Sequence, residues 1–164
     1  MKHNALQIRI LALILFKTSV QNFEQHLTEK GIQLSMLQMG ILRFVSHHPY
    51  TLSELSRKMM LDPSTLVPSI NALVKKGYVT RERDPNDRRR MPLLLTDEGL
   101  TLIQSQPMMC DDDPLLASLQ GLGQKKVEQL QQLLREAVAS LPDGEQILNE
   151  VDARHIIQIP TNLD

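Results

Sequence analysis

Tryptophan is absent from the 164 residues, and Phe and Tyr make up only 3% of them. A chain this poor in rings fills its interior with Leu, Ile, Val and its eight Met, a set that favours helices packed on helices over a sheet sandwich. A single cysteine, Cys110, excludes an intramolecular disulfide framework and a cysteine-based zinc finger, and points to a reducing, cytoplasmic compartment. The only stretch resembling a targeting signal, residues 10–16, falls far short of the roughly 20 residues that span a bilayer. It is closed by Lys17 and reads as the buried face of a helix, so no membrane partner is expected. A Gly-rich phosphate loop is missing, as is any nucleophile and base at a recognisable spacing; no enzyme activity and no cofactor are expected.

What is present is charge in the wrong place for its near-zero total. The formal net charge is −1, yet residues 75–90 carry seven basic and three acidic side chains, whereas residues 111–164 carry four basic and ten acidic. Five arginines fall within positions 81–90. A polarised molecule of this kind presents one cationic patch to an anionic partner.

Helical periodicity occupies most of the chain. Leu6, Ile10, Leu13, Ile14, Phe16, Val20, Phe23 and Leu27 recur at three- and four-residue steps, predicting a long first helix from about Ala5 to Glu29 that stops at Gly31. Ser35 is the candidate cap of a second helix, with Leu37, Ile41, Leu42 and Val45 on its apolar stripe, and His47-His48-Pro49 ends it. Thr51 or Ser53 caps a short third helix. Asp62-Pro63 starts a fourth, which buries Leu66, Ile70 and Leu73 and ends at Gly77. Residues 78–83 and 91–95 read as two strands around a turn-rich Asp-Pro-Asn-Asp loop. Thr96 caps a fifth helix whose course past Pro107 and Pro114 is undefined, a sixth runs from about Gln124 to Leu141, and a short helix, residues 145–151, precedes an apolar tail at residues 156–159.

Two short helices, a tight turn and a basic hairpin spell a winged helix-turn-helix: mainly α, with a small two- or three-stranded antiparallel wing and long flanking helices. With Leu66, Ile70 and Leu73 inward, the open face of the fourth helix carries Ser64, Pro68 and Asn71, flanked by Thr65 and Ser69. These five are the candidate major-groove residues: they are small enough for close approach, and Ser, Thr and Asn exchange hydrogen bonds with base edges. Pro68, at the sixth helical position, deletes a backbone bond, at a cost of up to about 3 kcal/mol in an isolated helix. Ser53, Lys75, Lys76, Arg88 and Arg90 are the candidate phosphate contacts, and Asp87 holds a neighbouring arginine by a charge-assisted bond.

From residue 31 to residue 103 the chain resembles the MarR family of bacterial transcription regulators. The residues that carry the likeness are Leu34-Ser35 with Gln38 and Leu42, Thr51-Leu52-Ser53-Glu54-Leu55-Ser56, Ser64-Thr65-Leu66-Val67-Pro68, Leu73-Val74-Lys75-Lys76-Gly77-Tyr78-Val79, and Asp87-Arg88-Arg89 followed by Leu93, Leu95, Thr96 and Gly99. The resemblance implies a homodimer built from the flanking helices and a recognition helix at residues 63–76. It also implies a minor-groove role for Arg89 with Asp87 as its orienting partner, and a small-molecule effector whose site the sequence leaves unknown. Expected domains are residues 1–33 and 101–164 for dimerisation and 34–100 for DNA. Two copies related by a two-fold axis would read a pseudo-palindromic operator in double-stranded DNA, most simply as a repressor. The Asp111-Asp112-Asp113-Pro114 run and the extension past Pro142 depart from the family's core.

Other readings are weaker. Cys110 beside three aspartates has a raised, unreactive thiol, so no redox sensing is expected. His47, His48, His26 and the aspartates lack ligand spacing, so no metal is expected. Met36, Met39, Met59 and Met60 read as core filler. The rival from another class is a winged-helix protein-interaction or antirepressor module whose basic wing docks on an acidic protein.

Overall fold

Side-chain caps fix where four of the eight described helices begin. The computed structural model describes residues 1–153 apart from Asn86, Arg88, Met108 and Cys110, and for residues 150, 151 and 153 the backbone alone. Helix α1 (Lys2–Glu29) turns off at Gly31, whose φ of 76° suits glycine, with Ile32 N–H returning to the Leu27 carbonyl at 2.8 Å. Helix α2 (Met36–His47) starts in a reciprocal box: Ser35 Oγ accepts from Gln38 N–H and Gln38 Oε1 accepts from Ser35 N–H. Helix α3 (Leu52–Met59) repeats the device with Thr51 and Glu54, which selects Thr51 over Ser53 as the cap. Helix α4 (Pro63–Lys75) is followed by strand β1 (Val79–Arg81), strand β2 (Leu93–Leu95) and helix α5 (Asp97–Ser105), the last capped by Thr96.

The expected fifth helix is divided. Pro107 stands just after α5, and α6 (Pro114–Leu122) is a separate helix with Pro114 in its first turn and Asp113 as its cap. The expected sixth helix is therefore α7 (Gln124–Ala139), and the short last one is α8 (Gly144–Ala153). The apolar tail at residues 156–159 lies outside the described residues.

The chain forms two compact units, Met1–Phe23 with Met109–Asp164, and Glu24–Met108. In the second, α2 packs on α4, α5 and β2, and α3 on α4. Its core is Leu27, Leu34, Met39, Ile41, Leu42, Val45, Leu55, Leu66, Ile70, Leu73, Val79, Leu93 and Ile103, all nearly or fully buried. Met39 takes the inward place expected of Leu37, which is half-buried, and Met60 is exposed, not core filler. Burying one such side chain stabilises by about 1.5–3 kcal/mol, so the inward residues of α2 and α4 dominate the unit's stability.

Gly99 is required by close approach: a Cβ there would lie 2.3 Å from the Tyr78 carbonyl oxygen. The same carbonyl accepts from Thr96 N–H at 3.1 Å, and Thr96 Oγ1 donates to the Gly77 carbonyl at 2.7 Å. The start of α5 is thereby fixed on the α4–β1 joint. At its other end the half-buried Arg43 guanidinium, its pKa lowered by desolvation, donates to the carbonyls of Ile103 and Gln106.

In the first unit α7 packs on α6 and α8. Arg135 makes a two-pronged ion pair with Asp152 (2.9 and 2.5 Å), which raises the Arg135 pKa and lowers that of Asp152. In the aspartate run Asp111 and Asp112 are exposed, whereas Asp113 is buried because it caps α6, accepting from Leu115 N–H at 2.7 Å. Residues 10–16, read as a buried face, are exposed, with Ile10 at 48%, Leu13 at 62% and Phe16 at 65%. Leu133 and Leu134 of α7 are likewise open. No helix among the described residues is long and apolar enough to cross a membrane.

Candidate nucleic-acid interface

The turn between α3 and α4 is built from local hydrogen bonds. Met60 adopts a left-handed conformation (φ 54°), Leu61 N–H returns to the Ser56 carbonyl, and Ser56 Oγ donates to the Leu61 carbonyl at 2.6 Å. Asp62 occupies the N-cap position of α4, but its side chain makes no cap bond; its carbonyl accepts from Thr65 N–H instead. Helix α4 continues through Pro68, which is exposed, so the Ser64 carbonyl it leaves without its usual partner lies on the solvent side.

Leu66, Ile70 and Leu73 point into the core as the 3.6-residue period requires. On the other side Ser64, Thr65, Pro68 and Asn71 are exposed and Ser69 is half-buried, giving an open strip with no charge before Lys75. Lys75 is exposed, whereas the Lys76 ammonium donates to the Gln33 carbonyl. Ser53 is exposed at the start of α3.

The wing leaves the C-terminal end of α4. Strands β1 and β2 pair antiparallel with Val79 opposite Leu95, Thr80 opposite Leu94 and Arg81 opposite Leu93, and Leu93 N–H also donates to the Tyr50 carbonyl at 2.8 Å. Both strands are shorter than the expected 78–83 and 91–95. Pro92 has no N–H for the ladder, and beyond it the hairpin is held by single bonds, Glu82 N–H to the Pro92 carbonyl and Asp84 N–H to the Arg90 carbonyl.

At the tip, Asp87 accepts the Arg89 backbone N–H at 3.0 Å and its own N–H donates to Asp84 Oδ1 at 3.3 Å. Asp87 thus shapes the turn that carries Arg89 through the backbone, and the Arg89 side chain is exposed. Arg88 lies outside the described residues. Arg90 faces inward: it pairs with Glu54 at 2.7 Å and with Asp84 at 3.5 Å. Glu54 is the same carboxylate that accepts the Thr51 N–H, and that bond, with Arg90 adding to it, lowers its pKa. One side chain therefore closes the start of α3 and fastens the wing to it.

The sequence reading missed two partnerships here. Arg81, at the end of β1, donates to Asn71 Oδ1 of α4 at 2.8 Å. The Glu54–Arg90 pair had a visible half, the Thr51-x-x-Glu54 capping-box spacing, but its other half lies 36 residues away. Along α5, an open cleft of about 450 Å³ is lined by Tyr78, Asp97, Glu98, Thr101, Leu102 and Ser105. Among the described residues no group of three or more His, Cys, Asp or Glu is disposed to hold a metal ion.

The sequence model of the MarR family matches residues 31–90, the stretch from the end of α1 to the wing tip. The reduced form of MarR from E. coli superposes with a TM-score of 0.64 at 25% identity, over 78% of this chain and 93% of that one. Over residues 31–90 the chain matches the MarR family, and its fold is that of a winged-helix protein. Among the curated proteins it is similar to is the HTH-type transcriptional regulator SarZ of Staphylococcus haemolyticus, 27% identical over 96 residues, which are 58% of this chain and 65% of SarZ. The chain therefore spans a little under two thirds of that relative's length. A mutant E. coli MarR complexed with operator DNA has the same fold, with a TM-score of 0.72 at 20% identity over 84% of this chain and 98% of that one.

Proposed function

We propose that this MarR-family chain is a homodimeric, sequence-specific regulator of transcription that binds double-stranded DNA, acts as a cytoplasmic repressor and responds to a small-molecule effector. The observation that carries the DNA reading is the uncharged, solvent-open strip of α4 with Arg81 of the wing bonded at its Asn71 and Arg83 and Arg89 exposed further along the hairpin. Small polar side chains suit base edges in a major groove, and an arginine on a hairpin tip suits the focused negative potential of a minor groove. In this reading Ser64, Thr65, Pro68 and Ser69 face bases, Ser53, Lys75 and Arg88 face phosphates, and Arg89 enters the minor groove from the turn that Asp87 shapes. Arg90 and Lys76 serve the scaffold first, because both cationic heads already have protein partners.

Homodimerisation is supported by the apolar surface of α1 and α7. Leu13, Ile14, Phe16, Leu133 and Leu134 are each about half or more exposed in one copy, an amount of open aliphatic surface that marks an interaction face. Pairing through residues 1–33 and 101–164 would set two lobes, residues 34–100, on successive major grooves of a pseudo-palindrome. The effector follows from membership of the family, and a ligand that releases the duplex would identify it.

The test is fluorescence anisotropy on duplexes from the gene's own upstream region at two salt concentrations, with Arg89→Ala as control. Saturable binding that weakens steeply with salt and falls in the variant is expected. Salt-insensitive or absent binding at low salt would favour the protein-interaction reading.

A further inference from the structure

Asn71 and Arg81 come from different elements and meet on the open side of the winged helix, Arg81 Nη2 donating to Asn71 Oδ1 at 2.8 Å. Both side chains are exposed, so nothing in the core forces the contact. It has two consequences for what each group can recognise. An asparagine specifies adenine by accepting from one base nitrogen and donating to another at the same time. With Oδ1 held toward Arg81 and one of its two lone pairs used, the Asn71 amide is not free to turn its acceptor and donor together onto a base edge. Arg81 loses much less, because a guanidinium is a fork of N–H donors and a single one is used.

The position of the pair matters as much as its chemistry. Asn71 is the ninth residue of α4, about 12 Å along the axis from the helix start, whereas base contacts concentrate at the N-terminal end of a recognition helix. Arg81 is the last residue of β1, between that helix and the wing tip. A protein that sets a helix in a major groove and a hairpin in the neighbouring minor groove straddles the sugar–phosphate strand that separates them. Arg81 stands at the joint that straddles it. Among the described residues no carboxylate is paired with Arg81, in contrast to Arg90.

The geometry points to Arg81 as a phosphate contact on the strand between the two grooves, aimed by Asn71, which is a positioning residue and reads no base. This rests on the DNA-binding reading above. It replaces the base-reading role that the sequence suggested for Asn71.

The test uses the full chain and a duplex that the wild-type protein selects from a random-sequence pool, beside an unrelated duplex. Affinity is measured against salt for wild type, Arg81→Ala, Asn71→Ala, the double variant and Arg81→Lys, with thermal melts to check folding. Arg81→Ala is expected to weaken both duplexes by a similar factor, roughly tenfold at low salt, and to reduce the salt slope by about 1 per protomer, about 2 for the dimer. Asn71→Ala should move affinity and slope the same way by less, the double variant should match Arg81→Ala, and Arg81→Lys should keep the slope. The inference is overturned if Asn71→Ala changes the preferred base at one position with the slope intact, or if Arg81→Ala leaves affinity and slope unchanged. A wild-type chain that selects no duplex at all would remove the DNA-binding reading itself.

Discussion

The two compact units use the same aliphatic residues for opposite purposes. In Glu24–Met108 the leucines and isoleucines of α2, α3 and α4 face inward and the unit closes its own core. In the other unit Phe23 is the sole fully buried large apolar side chain among the described residues, α6 and α7 contain no buried residue, and the apolar run at residues 10–16 of α1 is open to solvent. Helical period alone does not tell these apart, because it marks a face that will be covered without saying by what. The difference teaches that the winged helix is self-sufficient in packing and the long helices are not.

A charge on the uncovered surface is the strongest way to break this comparison. Leu13→Glu should leave the winged helix folded while abolishing pairing, and duplex affinity should fall by about a hundredfold or more because two linked lobes become two separate ones. Sedimentation velocity beside anisotropy checks it, and an unchanged dimer would remove α1 from the pairing surface. The contrast is sharpened by one truncation in each unit. Leu66→Ala should cost about 3 kcal/mol in urea unfolding, whereas Leu133→Ala should stay within about 0.5 kcal/mol under dilute conditions that keep the chain single.

The smallest effect concerns the carboxylate that joins α3 to the wing. The Glu54 pKa is lowered in the folded chain, chiefly by the Thr51 N–H it accepts and then by Arg90. A depressed pKa means that the ionised form stabilises the fold above the unfolded value of about 4.3, and that this contribution fades as pH falls through the lowered folded value. Glu54→Gln should therefore be less stable than wild type near neutrality, by no more than about 1 kcal/mol, with the gap closing on acidification below about pH 4. A gap independent of pH would mean that the charge is not what matters.

What was legible in the sequence was what neighbours along the chain decide. Ser35, Thr51 and Thr96 act on donors three residues away, and Leu66, Ile70 and Leu73 share a helical face, so caps, inward residues and the open strip of α4 could all be read. Partnerships made across the fold could not. Lys76 meets the Gln33 carbonyl 43 residues off, Arg90 meets Glu54 36 residues off, and nothing local announces either. Asp113 carried a local signal as well: of three aspartates in a row it alone precedes a proline, the Asp-Pro start that also opens α4, and it caps α6 and is buried. The wing strands were read too long because alternation continues past Pro92 while the ladder's donors do not.

The unit that contains α1 is discontinuous: its first 23 residues combine with residues from 109 onward. On a ribosome that adds about 5–20 residues per second, the segment between them is complete several seconds before the last helices of that unit exist. The winged helix can then close first, while residues 10–16, made before it, are still uncovered. Residues 10–16 stay open to solvent even when α6 to α8 are in place, so in the proposed dimer their exposure ends only when a second copy arrives, and a chaperone that holds aliphatic helices would act there rather than on the lobe with the arginines.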